Sequence, residues 1–149
     1  MVLSKQKDKL FDSFRSSWVA ATPEEIVRQK LLHAMTTQLG FPKSSLVVEK
    51  KLSELPHLRG KKGLPGRRAD VLCFAKGIHE EHELFPLLLI ECKEGIARED
   101  AAQQALGYNY FVQAPYVAIA GEGSAQLVHP QRLDFLPHYH ELLERVCKQ

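Results

Sequence analysis

Apolar positions along this chain follow two rhythms, and the order in which they alternate sets the expected architecture. Near the front, Leu10, Phe11, Phe14 and Trp18 are spaced at three and four, which predicts a short amphipathic helix within residues 1–21. Thr22-Pro23-Glu24-Glu25 reads as a second helix start, with Thr22 as N-cap, Pro23 at the first helical position and Glu25 at the reciprocal capping-box position. That helix is expected to run to about Leu39, where Gly40 and Pro42 stop it. Residues 45–52 read as a strand, and the Pro, Gly and Lys content of residues 53–66 predicts a loop without regular structure. Two apolar runs, 68–75 and 84–93, are joined by a polar turn and so predict a hairpin. A helix over 97–112, a strand over 116–120 and a short strand near 126–128 follow. A last helix over 134–147 carries Phe135, Tyr139, Leu142 and Val146 on one face.

The order α-β-β-β-α-β plus a C-terminal helix points to an α/β (α+β) fold, a mixed β-sheet flanked by helices. At 149 residues the chain suits one core, read as a domain over 22–149 behind an extension of 21 residues. With 44% hydrophobic and 26% charged residues, composition excludes disordered, collagen-like and membrane classes. The longest apolar run, Phe85 to Ile90, is far too short to span a bilayer, and no apolar segment follows the N-terminal lysines. Cys73, Cys92 and Cys147 are odd in number and without paired spacing, so a reducing cytoplasm is the expected location.

Chemistry concentrates at the end of the run Pro86-Leu87-Leu88-Leu89-Ile90-Glu91-Cys92-Lys93. Strand side chains alternate faces, so Glu91 and Lys93 project together, roughly 6 to 7 Å apart along the strand, while Cys92 points to the apolar layer. Hairpin pairing would bring Asp70 beside Glu91. Two converging carboxylates repel unless a hard cation joins them, so a divalent ion, Mg²⁺ or Mn²⁺, is expected there, with the Cys92 carbonyl as a further oxygen ligand. Such an ion would polarise a scissile phosphate and acidify an attacking water, with Lys93 holding that water or offsetting charge on the phosphorane.

The acid-any-lysine pattern recurs at Glu49-Lys50-Lys51, and only context separates the copies: the second follows a central-strand run and has an upstream acid at hairpin distance. The bland alternative for either is a surface ion pair. Glu24 shares the helix stripe of Val27, Leu31, Ala34 and Met35 and is a further candidate ligand, against a first-turn acid favoured by the helix dipole; capping suits Glu25 better. Gln104 and Tyr108, four apart, could orient a ligand or hold Lys93, or simply sit at the core edge.

Net charge is only +2, but Lys50, Lys51, Arg59, Lys61, Lys62, Arg67 and Arg68 form a basic block opposed only by Glu54, suited to phosphates beside the site or to a solvated loop. His79 and His82 are three apart in a turn, the wrong spacing for a helical zinc protease site, and His138 and His140 read as surface residues.

The segments T-P-E-E-I-V-R-Q, R-R-A-D-V-L, P-L-L-L-I-E-C-K and Q-A-L-G-Y-N, in this order, resemble the N-terminal nuclease domain of type I restriction enzyme R subunits, within the PD-(D/E)XK superfamily. The resemblance spans residues 22–121 and implies a restriction-endonuclease-like fold. It implies that Asp70 corresponds to the metal-binding aspartate, Glu91 and Lys93 to the acid and lysine, Glu24 to the first-helix glutamate, and Gln104 with Tyr108 to the Q-x-x-x-Y element. Ala69 stands where the superfamily name has proline. R subunits also carry a helicase motor, but this sequence has no G-x-x-x-x-G-K-S/T segment, so neither ATP use nor translocation is expected of it. A metal-dependent DNA endonuclease, alone, as a homodimer or within a larger complex, is the first expectation. A catalytically silent nucleic-acid-binding module and an assembly subunit are the alternatives.

Overall fold

The computed structural model describes residues 5–6 and 8–148. Its elements are β1 (Lys5–Gln6), β2 (Lys9–Asp12), β3 (Ser17–Ala20), α1 (Pro23–Thr37), β4 (Leu46–Lys51), β5 (Arg68–Lys76), β6 (Leu84–Cys92), α2 (Arg98–Val112), β7 (Tyr116–Gly121), β8 (Ser124–His129) and α3 (Tyr139–Cys147). The expected α-β-β-β-α-β order and C-terminal helix are present, and the fold is of the mixed α+β class.

A five-stranded sheet in the order β4-β5-β6-β7-β8 forms the centre. Only β6 and β7 pair in parallel, because α2 lies between them in sequence and supplies the crossover a parallel pair requires. Apolar residues on successive strand positions face opposite layers. Val71, Cys73, Ile90, Cys92, Ala118 and Ala120 pack beneath Val27, Leu31, Leu32 and Met35 of α1 and Leu142 of α3. On the other face Leu72 and Leu89 meet Tyr108 and Val112 of α2, while Val117 and Ile119 meet Ala101 and Ala105. Full burial of one such leucine contributes about 1.5–3 kcal/mol.

Local signals explain the helix ends. The Thr22 hydroxyl accepts the Glu25 amide at 3.1 Å, Pro23 opens α1, and Gly40 past its end holds φ +76°, a conformation that glycine adopts without a Cβ penalty. The Glu25 carboxylate, expected to reach back to Thr22, instead meets Arg15, Arg28 and Gln29. α2 ends at Gln113 in the left-handed region, where Asn109 binds both the amide and the carbonyl of Ala114 at 2.9 Å.

Three expectations are corrected. The N-terminal helix is absent over the described residues: β2 and β3 form an antiparallel hairpin in which Leu10 and Asp12 are buried while Phe11 and Trp18, opposite one another, stack edge to face outside. The three-four spacing there was a coincidence of two strands with period two. The last helix starts at Tyr139, not 134, because Pro137 biases the preceding residue away from helical geometry; Phe135 is exposed and Leu136 is buried in its stead. The 53–66 loop contains two 3₁₀ turns, Leu52–Glu54 and Pro56–Leu58, which bury Leu52, Leu55 and Leu58 against the α2 layer.

Candidate active site

The β5–β6 ladder runs from Lys76↔Leu84 to Val71↔Ile90, and one residue further its character changes. The Glu91 carboxylate accepts the Asp70 amide at 3.1 Å, and the Asp70 carboxylate accepts the Cys92 amide at 2.8 Å. Each acid therefore grips the other's strand through the backbone. Both are buried, with Asp70 9% and Glu91 1% exposed. Burial, then the neighbouring Asp70 charge, push Glu91 up to about 7.

Lys93 follows directly, its amide bound to the Ala120 carbonyl at 2.9 Å, and its ammonium favours ionisation of both Glu91 and Glu24 without lying within 4 Å of any carboxylate among the described residues. The Cys92 side chain enters the apolar layer, as expected, and burial pushes its thiol pKa far up. Because amide and carbonyl of one strand residue point to the same side, the Cys92 carbonyl faces the Asp70 side as its amide does.

On the α2 face, Arg67 reaches Glu91 at 3.4 Å and lies 4.6 Å over the ring of Tyr108. The buried Tyr108 hydroxyl has no hydrogen-bond partner among the described residues, and burial followed by the Glu91 charge lifts it to about 12. Tyr108 thus adjoins the pair of acids. Gln104, one turn earlier on α2, is exposed and makes no side-chain hydrogen bond to the site among the described residues.

The α1 face carries a network that the sequence reading missed. Arg28 lies with its side chain 3% exposed, its guanidinium 3.0 Å from Glu25, 3.0 Å from Glu49, 3.3 Å from Asp70 and 3.6 Å from Glu24. Arg15, from the hairpin turn, binds Asp12, Glu25 and, at 3.0 Å, Glu49. Burial opposes the charge on Asp12, but hydrogen bonds from Arg15 and the Phe14 amide outweigh it and hold the carboxyl below its ordinary range. Glu49 takes a left-handed backbone, φ +52°, inside β4, a cost of about 1–2 kcal/mol for a residue with a Cβ. That kink directs its carboxylate to the two arginines. The only sequence signals were Arg28 following Glu24 and Glu25 at helical spacing, and the Glu49 pattern set aside as the poorer copy.

Helical phase is corrected accordingly: Glu25, expected as a cap, is buried, and Glu24, expected on the apolar stripe, is nearly half exposed. Burial and the Asp70 charge still raise the Glu24 pKa, so it does feel the site. A cleft of ≈ 660 Å³, lined among others by Val19, Ala20, Glu24, Arg28, Glu49 and Glu94, opens on this side, and neither Asp70 nor Glu91 lines it. A more apolar groove of ≈ 480 Å³ between α1 and the β7–β8 turn, lined by Ile26, Leu31 and Ala125, holds neither Asp70 nor Glu91.

Among the described residues no three His, Cys, Asp or Glu side chains meet at metal-binding distance. Asp70 and Glu91 nevertheless fit a hard divalent ion in chemistry. They are adjacent buried carboxylates whose mutual repulsion raises one pKa, and an ionised carboxylate offers about four lone-pair sites, of which these contacts use only part. The guanidinium of Arg28 contacts both Asp70, at 3.3 Å, and Glu24, at 3.6 Å. Lys50, Lys51, Arg59, Lys61, Lys62, Arg67 and Arg68 are all exposed, with Lys50 paired to Ala69 and Lys51 to Arg68 across β4 and β5. His79 caps its own turn, accepting the Glu81 amide at 3.1 Å and that of His82 at 3.3 Å.

The chain thus carries an α+β sheet with paired acids and a lysine at the ends of adjacent strands. The family model of the type I restriction enzyme R protein N terminus matches residues 23–139, and the chain belongs to that family. No curated protein and no solved structure matches it. No helix among the described residues is long and apolar enough to cross a membrane.

Proposed function

We propose that this chain is a metal-dependent DNA endonuclease domain of the PD-(D/E)XK type, hydrolysing phosphodiester bonds at Asp70, Glu91 and Lys93. The observation that carries the reading is the reciprocal grip of Asp70 and Glu91, two buried carboxylates fixed side by side on paired strands with Lys93 at the same strand end. Membership of a restriction-enzyme family supports it.

Asp70, Glu91 and the Cys92 carbonyl would hold Mg²⁺ or Mn²⁺, which when bound supplies Lewis acidity and a more acidic water. The chain's own residues do the rest. Hydrogen bonds from backbone amides hold both carboxylates in place before substrate arrives, so no reorganisation is needed at the moment of reaction. Lys93 orients the attacking water or neutralises charge that develops on the phosphorane. Arg67, braced on Tyr108, offsets the Glu91 charge and marks the phosphate-facing edge. Lys50, Lys51, Arg59, Lys61, Lys62 and Arg68 supply backbone contacts that carry affinity without sequence information.

The deciding experiment is a cleavage assay on single-stranded, duplex and branched DNA across a panel of divalent ions, with Lys93→Ala as control. Cutting that requires Mg²⁺ or Mn²⁺ and disappears in the folded variant is expected. Metal-independent cutting, or equal cutting by Lys93→Ala, overturns the assignment. Tight, salt-sensitive DNA binding without cutting would instead favour a silent binding module.

A further inference from the structure

We infer that Arg28 is a built-in stand-in for the divalent cation, seated on Asp70 in the metal-free state and displaced from it when the ion binds, so that its guanidinium sets the metal affinity of the site. This deepens the nuclease reading and rests on it. One nitrogen of Arg28 faces three carboxylate oxygens, those of Glu49 at 3.0 Å, Asp70 at 3.3 Å and Glu24 at 3.6 Å. That nitrogen carries two protons, so three acceptors oversubscribe it, and one is held by charge alone. Asp70, a carboxylate proposed above as a metal ligand, is thus already in contact with a positive group of the chain itself.

The contacts also divide into a firm set and a loose one. The other terminal nitrogen is 3.0 Å from Glu25, and Glu25 and Glu49 are in turn held by Arg15. Asp70 and Glu24 make the longer contacts, and neither is tied to Arg15. The buried Nε of Arg28 has no hydrogen-bond partner among the described residues, so the seat does not satisfy the guanidinium fully. The neighbourhood retains negative charge besides: Asp12, Glu24, Glu25, Glu49, Asp70 and Glu91 face Arg15, Arg28, Arg67 and Lys93. Release of Asp70 leaves Arg28 anchored on Glu25 and Glu49. An ion that must first displace it binds with an affinity lowered by the fraction of molecules in the open state. Arg28 is thus a positioning residue.

Calorimetry with Mn²⁺, together with thermal melting with and without Mn²⁺, tests this on the wild-type chain, Arg28→Gln and Arg28→Lys. We expect Arg28→Gln to bind Mn²⁺ at least ten-fold more tightly and to gain more in melting temperature from the ion, since the ion then relieves an uncompensated cluster. Arg28→Lys, whose single ammonium cannot bridge Glu25 and Asp70 together, should lie between. If Arg28→Gln folds only with Mn²⁺, that too supports the inference. Failure to fold even at saturating Mn²⁺, with Arg28→Lys binding no more tightly than wild type, overturns it. So does unchanged or weaker binding in both folded variants while the wild type binds Mn²⁺ and cuts DNA, an outcome that leaves the nuclease reading standing. A wild type that neither binds Mn²⁺ nor cuts removes the nuclease reading itself.

Discussion

Glu49-Lys50-Lys51 and Glu91-Cys92-Lys93 share one three-residue pattern and meet opposite fates. Glu91 ends a central strand bonded on both sides, is nearly inaccessible, and its ionisation is resisted by burial and by Asp70. Glu49 lies on the edge strand β4, is about a third exposed, and is bound by two arginines. The lysines differ in the same sense: Lys50 and Lys51 are exposed, and Lys93 is half-buried. Strand position, not the local pattern, decides whether such an acid is buried beside a second carboxylate or held at the edge by arginines.

Substitutions at the two copies sharpen the contrast. The largest effect is expected at Asp70→Ala and Lys93→Ala, which should lower single-turnover DNA cleavage by at least about 100-fold, the scale of losing one preorganised electrostatic contact. Glu91→Gln should lower cleavage comparably and also reshape stability. Its carboxyl pKa of about 7 in the folded chain exceeds the ordinary 4.5, so the folded state holds a proton that the unfolded state releases first. The contribution of that proton is complete below about pH 4.5 and disappears as pH rises through 7. Metal-free wild type should therefore lose stability across this window in urea titrations, and Glu91→Gln should not.

At the other copy, Glu49→Gln should cost about 1–2 kcal/mol of stability, reduced from a fully buried pair by its exposure, with cleavage changed less than ten-fold. Equal losses of cleavage in Glu49→Gln and Glu91→Gln would erase the distinction. The smallest effect belongs to Lys50→Ala and Lys51→Ala. Each should reduce the slope of log binding constant against log salt by about 1, with little change in cleavage of saturated DNA.

The strands and central helices were legible because each carries a local cause: a capped start at Thr22, an unbroken apolar run before Glu91, a polar turn between β5 and β6. Placing Asp70 beside Glu91 followed from hairpin register alone. Arg28 was not legible as a site residue, since its partners come from α1, β4 and β5 and no local window contains them. The N-terminal hairpin was missed for a related reason. Its cross-strand pair Phe11 and Trp18 falls seven residues apart in sequence, a separation that two helical turns would also produce.

The hydrogen bonds from the Asp70 amide to Glu91 and from the Cys92 amide to Asp70 have one more consequence. They substitute for the next rung of the sheet, so these carboxylates act as rivets besides the metal-binding role proposed for them. Evolution toward an inert scaffold could discard Lys93 at small structural cost, whereas removing either acid would unfasten the strand ends. Acid pairs of this kind should therefore be retained for the fold as well as for any chemistry beside them.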